Sequence, residues 1–297
     1  MLILQQIVNG LMLGSVYVMV AVAFTLTIGM LNFLNFTIPA LFMVSAMITW
    51  AATAAGFHWL VAATFGMIVA ILASLVIERF TYRYMKAKYG DATEHALPLV
   101  SSLGFLIIFE HVVIMIWGTD PMTFNSPFAH AKFEISGIIF GIPQLISLAL
   151  SLVLVFGLSL LLKKTQLGRA LRSIAEKPDT ATLMGVDVGK IVPVVFVMTG
   201  FLCALAGILF TVNYQHVSPY IGDHVATNAI AGMVIGGLGN IWGAIAGGLL
   251  IGMVEVLSIH FWGADIIKVP VWTLMLLILV FRPAGLFGHT QIGKGKF

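Results

Sequence analysis

Eight apolar runs divide the chain and are separated by charged or Gly/Pro-rich segments. They cover residues 7–31, 36–55, 58–78, 96–117, 144–162, 191–212, 226–257 and 268–281. Most of them reach the length of about 20 residues that an α-helix needs to cross the hydrocarbon of a bilayer. The pattern predicts an all-α integral membrane protein, a polytopic bundle of about eight transmembrane helices with short broken or re-entrant helices.

The composition supports this fold class. Of 297 residues, 60% are hydrophobic and only 9% are charged, with a mean hydropathy of +1.06. Soluble chains carry about 25% charged residues, so a water-soluble enzyme is excluded. The 15 basic residues are too few and too scattered for a nucleic-acid surface. Cys203 is the only cysteine of the sequence, so no intrachain disulfide can form.

The basic residues set the expected orientation. Thirteen of the 15 lie in three segments: Arg79, Arg83, Lys86 and Lys88; Lys163, Lys164, Arg169, Arg172, Lys177 and Lys190; and Arg282, Lys294 and Lys296. Lys132 and Lys268 lie in the alternate loops. The positive-inside rule therefore places the N-terminus outside and the C-terminus inside. We expect one transmembrane domain over residues 1–297, with an extracytoplasmic loop at 118–143 and a cytoplasmic loop at 163–190.

The run 226–257 must cross an even number of times for the last helix to end inside. It is too short for two full spans, so we expect two short helices that meet at the turn GGLGN, Gly236 to Asn240. A similar break follows the first helix at Asn32, Asn35 and Pro39. Two interrupted regions are typical of a substrate path, although ordinary polar turns between short helices would give the same pattern.

The residues around these breaks are the candidates for the substrate path. They are Asn32, Phe33, Asn35, Phe36, Gly237, Gly239, Asn240 and Ile241. A side-chain amide at membrane depth must cap a broken helix or face a cavity, because an unpaired polar group is costly there.

The last third of the chain also carries glycines four residues apart, and Gly10 and Gly14 have the same spacing. This spacing predicts close helix packing.

The loop 163–190 is predicted to be structured. Leu167, Leu171 and Ile174 recur at helical spacing in QLGRALRSIAE, which indicates an amphipathic helix. Pro178 suits the first position of a second helix, about 178–184, and Gly185 suits its end. This short helix would offer Ala181, Leu183 and Met184 for contact. The loop either lies on lipid headgroups or docks a cytoplasmic motor.

In the outer loop, apolar Phe133 and Ile135 alternate with Lys132 and Glu134 before Ser136-Gly137. The alternation predicts a small two-stranded hairpin. It either faces an extracytoplasmic partner or seals the helix ends.

Several catalytic motifs are missing from the sequence. It contains no GxxxxGK[ST] phosphate loop, no HExxH, no GxSxG and no Cys/His cluster. We therefore expect no ATPase activity, metal or cofactor, and energy must come from a separate subunit or an ion gradient. Glu110 and His111 lie inside the fourth run, whereas Glu78 and Glu255 lie near helix ends. If the protein were an ion-coupled secondary transporter, Glu110 would be the best candidate for the carboxylate that binds the proton or sodium ion.

Four stretches resemble one known family. GRALRSIAEKPDTATLMGVDVGKI, FLCALAGILF, AGMVIGGLGNIWGAIAGGLLIGMVEVL and FRPAGLFG resemble the Liv-type branched-chain amino acid permeases, which are membrane subunits of ABC importers. The resemblance keeps the family's order and spacing from about residue 166 to 288.

The resemblance implies a permease subunit of the bacterial cytoplasmic (inner) membrane. Its partners would be a second, related permease in a heterodimer, two cytoplasmic ATPase subunits and an extracytoplasmic solute-binding protein. The segment that couples to the ATPase would contain Gly168, Arg169, Arg172, Asp179, Ala181 and Gly185.

The sequence departs from the family after the first helix. The family commonly reads Ile-Asn-Phe followed by Ala-His-Gly, whereas here Leu34-Asn35-Phe36 is followed by Thr37-Ile38-Pro39. The solute is therefore expected to be a branched-chain amino acid on family frequency, with amides, urea and other small organic solutes as alternatives.

Overall fold

A computed structural model describes residues 2–84, 96–125, 132–135, 138–263 and 266–288. Lys86, Lys88, Lys294, Lys296 and the hairpin turn Ser136-Gly137 lie outside the described residues. The same holds for the side chains of Pro178 and Asp179.

The described residues form eleven α-helices, one π-helical turn and four short strands. The helices are α1 (Leu2–Leu31), α2 (Ile38–Ala54), α3 (Trp59–Ile77), α4 (Ala96–Trp117), α5 (Ile142–Lys164), α6 (Gln166–Glu176), α7 (Pro178–Leu183), α8 (Val188–Tyr214), α9 (Ile221–Gly236), α10 (Ile241–Trp262) and α11 (Lys268–Phe281). The π-helical turn Glu78–Arg83 extends α3, and the strands are β1 (Met122–Thr123), β2 (Lys132–Ile135), β3 (Ile138–Gly141) and β4 (His216–Val217).

Six of the described helices are long and apolar enough to cross a membrane: α1, α3 with its π-helical turn, α4, α5, α8 and α10. The apolar helices α2 and α11 are shorter. This confirms the all-α polytopic fold class, including its short helices. Helix α1 is the centre of the bundle, because α10, α9, α8 and α5 all pack around it.

Glycines bring the central helices into backbone contact. A Cβ atom built on Gly252 of α10 would lie 2.4 Å from the Cα atom of Gly14 in α1. One built on Gly232 of α9 would lie 3.0 Å from the Cα atom of Gly248. The predicted role of the glycines spaced four apart in close packing is therefore confirmed.

The predicted break in the run 226–257 is also confirmed, because α9 ends at Gly236 and α10 begins at Ile241. The prediction of two short helices is half wrong. Helix α9 has 16 residues, but α10 has 22 and continues to Trp262. The polar residues that limited the apolar run lie inside these helices, where His224 faces Glu255 and Ser258 donates to the backbone carbonyl of Val254.

The bundle has two distinct ends. At the hairpin end, β2 and β3 pair antiparallel as predicted, with Ile135 opposite Ile138. The side chain of Gln5 at the start of α1 bonds both backbone groups of Ile139, at 2.8 and 2.9 Å. The opposite, loop-helix end carries α6 and α7, which connect α5 to α8.

Candidate functional site

The first broken region ends at the loop-helix end, beside α6. Asn32 ends α1 with a left-handed φ of +56°, which asparagine tolerates better than most residues. Its side-chain Nδ2 donates a hydrogen bond to the backbone carbonyl of Ala175 near the end of α6, at 3.2 Å. The sequence predicted both segments and gave no sign that they touch.

The second broken region lies next to the first. A Cβ atom built on Gly29, two residues before the end of α1, would lie 3.4 Å from the Cα atom of Gly239 in the glycine turn. Asn240 in that turn caps α10, since its Oδ1 accepts from the backbone N–H groups of Trp242 at 3.0 Å and Gly243 at 3.4 Å. The two breaks and the loop 163–190 therefore form one junction.

The chain after α11 closes this junction. The backbone N–H groups of Leu286 and Phe287 donate to the carbonyls of Ile235 and Gly236, at 2.8 and 3.0 Å. They satisfy carbonyls that the end of α9 leaves free. Gly237 needs its small size here, because it has a φ of +111° and its backbone lies against Gly288.

Asn35 is fully buried and forms a turn with Thr37, the residue that precedes α2. Its Oδ1 accepts hydrogen bonds from the backbone N–H and the hydroxyl of Thr37, at 3.0 and 2.7 Å, whereas its Nδ2 has no hydrogen-bond partner. The backbone N–H of Phe36 donates to the hydroxyl of Ser102 at 3.1 Å. Phe33 is buried and stacks on Tyr82, with ring centroids 6.3 Å apart.

Asn240 therefore takes the capping role that was one of its two expected roles, whereas the Asn35 side chain bonds Thr37 ahead of α2 and does not cap that helix. The candidate path residues from the first break and from the glycine turn gather at the loop-helix end of the bundle. Their part in a solute path stays a prediction.

Pro39, which stands where the sequence departs from the family, lies in the first turn of α2. Its carbonyl packs against Gly222 at the start of α9 so closely that a Cβ atom on Gly222 would overlap it. The departure therefore falls at the contact between two helices that both begin inside the bundle.

The loop 163–190 folds as predicted into two helices, α6 and α7. Gly168 lies against the backbone of Leu162 with no room for a side chain, and Arg172 donates to the carbonyl of Leu162. Arg169 is exposed. Gly185 ends α7 with φ +85°, its N–H bonding Thr182 while the next N–H bonds Ala181, as in a Schellman motif.

The expected contact surface of α7 needs one correction. Ala181 is only 3% exposed, so it is not available to a partner. Leu183 and Met184 are 87% and 82% exposed, as expected. The short α7 packs one face against α8, and the sequence of one turn did not show which face this would be.

After α7, Asp187 and Lys190 form an ion pair, with Nζ and Oδ2 3.0 Å apart. The hydrogen bond from Lys190 lowers the pKa of Asp187.

A buried polar cluster, Tyr17, Asn228 and Glu255, joins the three central helices. The Glu255 Oε2 accepts a hydrogen bond from the Tyr17 hydroxyl at 2.6 Å and another from Asn228 Nδ2 at 2.8 Å. All three side chains are at most 4% exposed. Helix α10 continues two turns beyond Glu255, so Glu255 lies inside the helix and not near its end.

His224 connects this cluster to the open face of α9, the side of the helix on which Asp223, His224 and Thr227 are exposed or partly exposed. Its Nε2 lies 3.8 Å from the Glu255 Oε1, and its side chain is 45% exposed. Asp223 is also exposed and Thr227 partly so, which makes a polar strip along the helix. Glu110 of α4 is partly exposed and close enough to Asp223 for their charges to interact.

Sequence reasoning missed this cluster for a specific reason. The apolar runs 191–212 and 226–257 left residues 213–225 outside both, so Asp223 and His224 were not considered as helical residues. The available signal was the helical spacing of Asp223, His224, Thr227 and Asn228, four polar residues at the edge of an apolar run.

Among the residues that the structure describes, no three His, Cys, Asp or Glu side chains form a group that could hold a metal ion.

Comparison with known proteins gives one consistent family. The family described as "Branched-chain amino acid transport system / permease component" matches residues 6–281. The chain is 29% identical over 304 residues to the high-affinity branched-chain amino acid transport system permease protein BraD of Pseudomonas aeruginosa, covering 98% of this chain and 97% of BraD.

Two further relatives carry related names. LivH of Escherichia coli, a high-affinity branched-chain amino acid transport system permease protein, is 28% identical over 304 residues, with 98% of this chain and 97% of LivH covered. The probable branched-chain amino acid transport permease protein LivH of Methanocaldococcus jannaschii is 30% identical over 233 residues, 75% of this chain and 71% of that protein.

Proposed function

Because this chain belongs to the branched-chain amino acid transport system permease family, we propose that it is the membrane-spanning subunit of an ABC importer for a branched-chain amino acid. The observation that carries the proposal is the match over residues 6–281, which includes nearly every described helix. The family favours this function over an ion-coupled carrier. The sequence has no phosphate loop, so ATP would be hydrolysed by separate subunits.

The partners of such an importer are a second permease, two ATPase subunits and a solute-binding protein. The basic residues that flank α6 and α7 support a cytoplasmic position for the loop-helix end and an outer position for the hairpin end. Leu183 and Met184, exposed at the tip of α7, would then insert into the ATPase. The permease would lie in the inner membrane of a bacterium, and the binding protein would dock at its hairpin end.

The solute path would run along the open face of α9. Asp223 and His224 lie about 6 to 8 Å along the helix from Asn228, so they are at the depth of the buried cluster. Charged and polar side chains at this depth do not face lipid, because lipid cannot satisfy them. This face of α9 therefore borders water or the second permease. The solute would then leave at the loop-helix end, past the junction that contains Asn32 and Gly239.

The aliphatic part of the solute also finds a surface on this face. Beyond Thr227 the same side of α9 continues with Ile230 and Val234, both partly buried. An aliphatic side chain would pass over them without a deep binding well, and weak holding is what a passage requires.

The experiment that tests the function is reconstitution of the whole importer in proteoliposomes. The permease would be combined with the second permease, the ATPase subunits and the binding protein of the same importer. Uptake of leucine, isoleucine and valine would then be compared with that of acetamide and urea. We expect saturable, ATP-dependent uptake of the amino acids only. Uptake that needs a proton or sodium gradient and no ATPase would overturn the proposal, and preferred uptake of an amide or urea would overturn the assigned solute.

A further inference from the structure

We propose that Glu255, reached past His224 from the open face of α9, receives the ammonium group of the amino acid during its passage. This inference deepens the function proposed above and rests on it. It concerns a site to which the sequence gave no role. It names one carboxylate oxygen, Glu255 Oε1, as the group that binds the ammonium.

The carboxylate of Glu255 is held on one side and open on the other. Its Oε2 accepts the two hydrogen bonds from Tyr17 and Asn228. Its Oε1 faces His224 at 3.8 Å, which is too long for a hydrogen bond. A side chain that is 4% exposed thus presents an oxygen, without a close donor among the described residues, toward the open face.

This oxygen lies deep in the membrane. Tyr17 is at the middle of α1, whose 30 residues give a length of about 45 Å. The hydrocarbon of a bilayer is about 30 Å thick, so the contact between Tyr17 and Glu255 lies near its centre. Carboxylates at this depth are costly and serve a solute or a relay unless a cation pairs with them.

The described part of the chain supplies no Lys or Arg to this region. The ion pair of Glu255 is with His224 alone, and Asp223 and Glu110 each lack a Lys or Arg partner in the described residues. The other buried glutamate, Glu78 directly after α3, differs in this respect, since Arg83 lies 3.6 Å from it. The region around Glu255 is therefore short of positive charge.

An α-ammonium group fits this deficit. It carries one positive charge and three N–H donors, so one donor would bond Glu255 Oε1 and the others would remain toward the exposed side of α9, where Asp223 lies. The aliphatic side chain of the same amino acid would then lie toward Ile230 and Val234. The carboxylate of Glu255 needs no movement to do this, because Tyr17 and Asn228 already fix it.

The test uses two pairs of variants in the reconstituted importer. Glu255→Gln removes the charge and keeps the shape, and Glu78→Gln makes the same change at an equally buried glutamate away from α9. His224→Lys places a permanent cation next to Glu255, and His224→Gln replaces the same ring without a charge. For each variant the maximal uptake rate, the KM, the ATPase stimulation by loaded binding protein and the detergent-solubilised yield are measured.

We expect Glu255→Gln to lower the maximal uptake rate at least about tenfold, because the ammonium group loses its only buried counter-charge. The KM and the ATPase stimulation should stay close to those of the unmodified importer, since the binding protein sets them. His224→Lys should block uptake by occupying the site, and His224→Gln should lower it far less than His224→Lys does. Glu78→Gln should retain most of the uptake.

Two results would overturn the inference while leaving the importer function intact. One is uptake by Glu255→Gln at the normal rate per folded molecule, even if the yield falls, because the cluster would then serve packing only. The other is normal uptake by His224→Lys. Should Glu255→Gln fail to fold, the His224 pair decides alone, since that side chain is 45% exposed. Failure of the unmodified importer to carry amino acids would instead refute the proposed function.

Discussion

Asn32 donates a hydrogen bond from its side-chain amide to the backbone carbonyl of Ala175, at 3.2 Å. The bond joins the break after α1 to the helix α6 that lies on the expected ATPase side. Gly29, one turn earlier, touches Gly239 in the turn between α9 and α10. We therefore expect a displacement of α6 to reach both broken regions.

Replacement of Asn32 by Gly should uncouple transport from ATP hydrolysis. Glycine keeps the left-handed backbone and removes the donor. A hydrogen bond is worth about 0.5–1.5 kcal/mol, so we expect about two- to tenfold less solute carried per ATP hydrolysed. Gln215→Gly is the matched control, since Gln215 has φ +57° at the opposite end of the bundle. An unchanged transport ratio in Asn32→Gly would show that this bond carries no coupling.

Replacement of Leu183 or Met184 by Asp should release the ATPase subunits and leave the bundle folded. Both side chains are more than four-fifths exposed, so a charge costs the fold little and spoils an apolar docking surface. Copurification of the ATPase with tagged permease measures the loss. Ala181→Asp should instead reduce the yield of folded permease, because Ala181 is buried. Normal copurification of both exposed-site variants would move the docking surface elsewhere.

The orientation can be tested with single cysteines. In a Cys203→Ala background, Lys164→Cys at the end of α5 and Glu134→Cys in the hairpin lie at opposite ends of the described structure, and both positions are exposed. An impermeant maleimide added to intact cells should label the cysteine at 134 and spare the one at 164. Labelling in the reverse order would invert the topology.

Gly252→Ala should destabilise the permease, because the added methyl group would lie 2.4 Å from the Cα atom of Gly14. Overpacking of this kind costs about 1–3 kcal/mol. Gly157→Ala in α5 is the matched control, with nothing within 4 Å of the added atom, and it should be neutral or stabilising by up to about 1 kcal/mol. Thermal unfolding in detergent compares the two, and equal melting temperatures would contradict the close packing of α1 and α10.

Asn35→Leu distinguishes a structural residue from a path residue. The substitution removes the acceptor for both donors of Thr37 ahead of α2, so a structural role predicts a stability loss of about 1–3 kcal/mol and a lower folded yield. Uptake per folded molecule should stay normal if this turn is the only role. A normal yield with reduced uptake would instead support Asn35 as a lining residue.

The local features of the fold could be read from the sequence. Pro178 and Gly185 predicted the bounds of α7, and the turn Gly236 to Asn240 predicted the end of α9. These features depend on the backbone preferences of neighbouring residues, so a short stretch of sequence is enough to determine them. The alternation around Phe133 predicted the hairpin for the same reason.

The contacts between distant segments were decided by the tertiary structure. Tyr17 and Glu255 are 238 positions apart, and nothing near either residue identifies the other as its partner. The burial of Ala181 and the bond from Asn32 to Ala175 depend likewise on which helix face packs inward. In a chain that is 60% hydrophobic, most helix faces are apolar, so the sequence determined where the chain breaks between helices but misplaced the start of α9 and the end of α10. Only packing determines which faces meet and which polar groups reach the open side of α9.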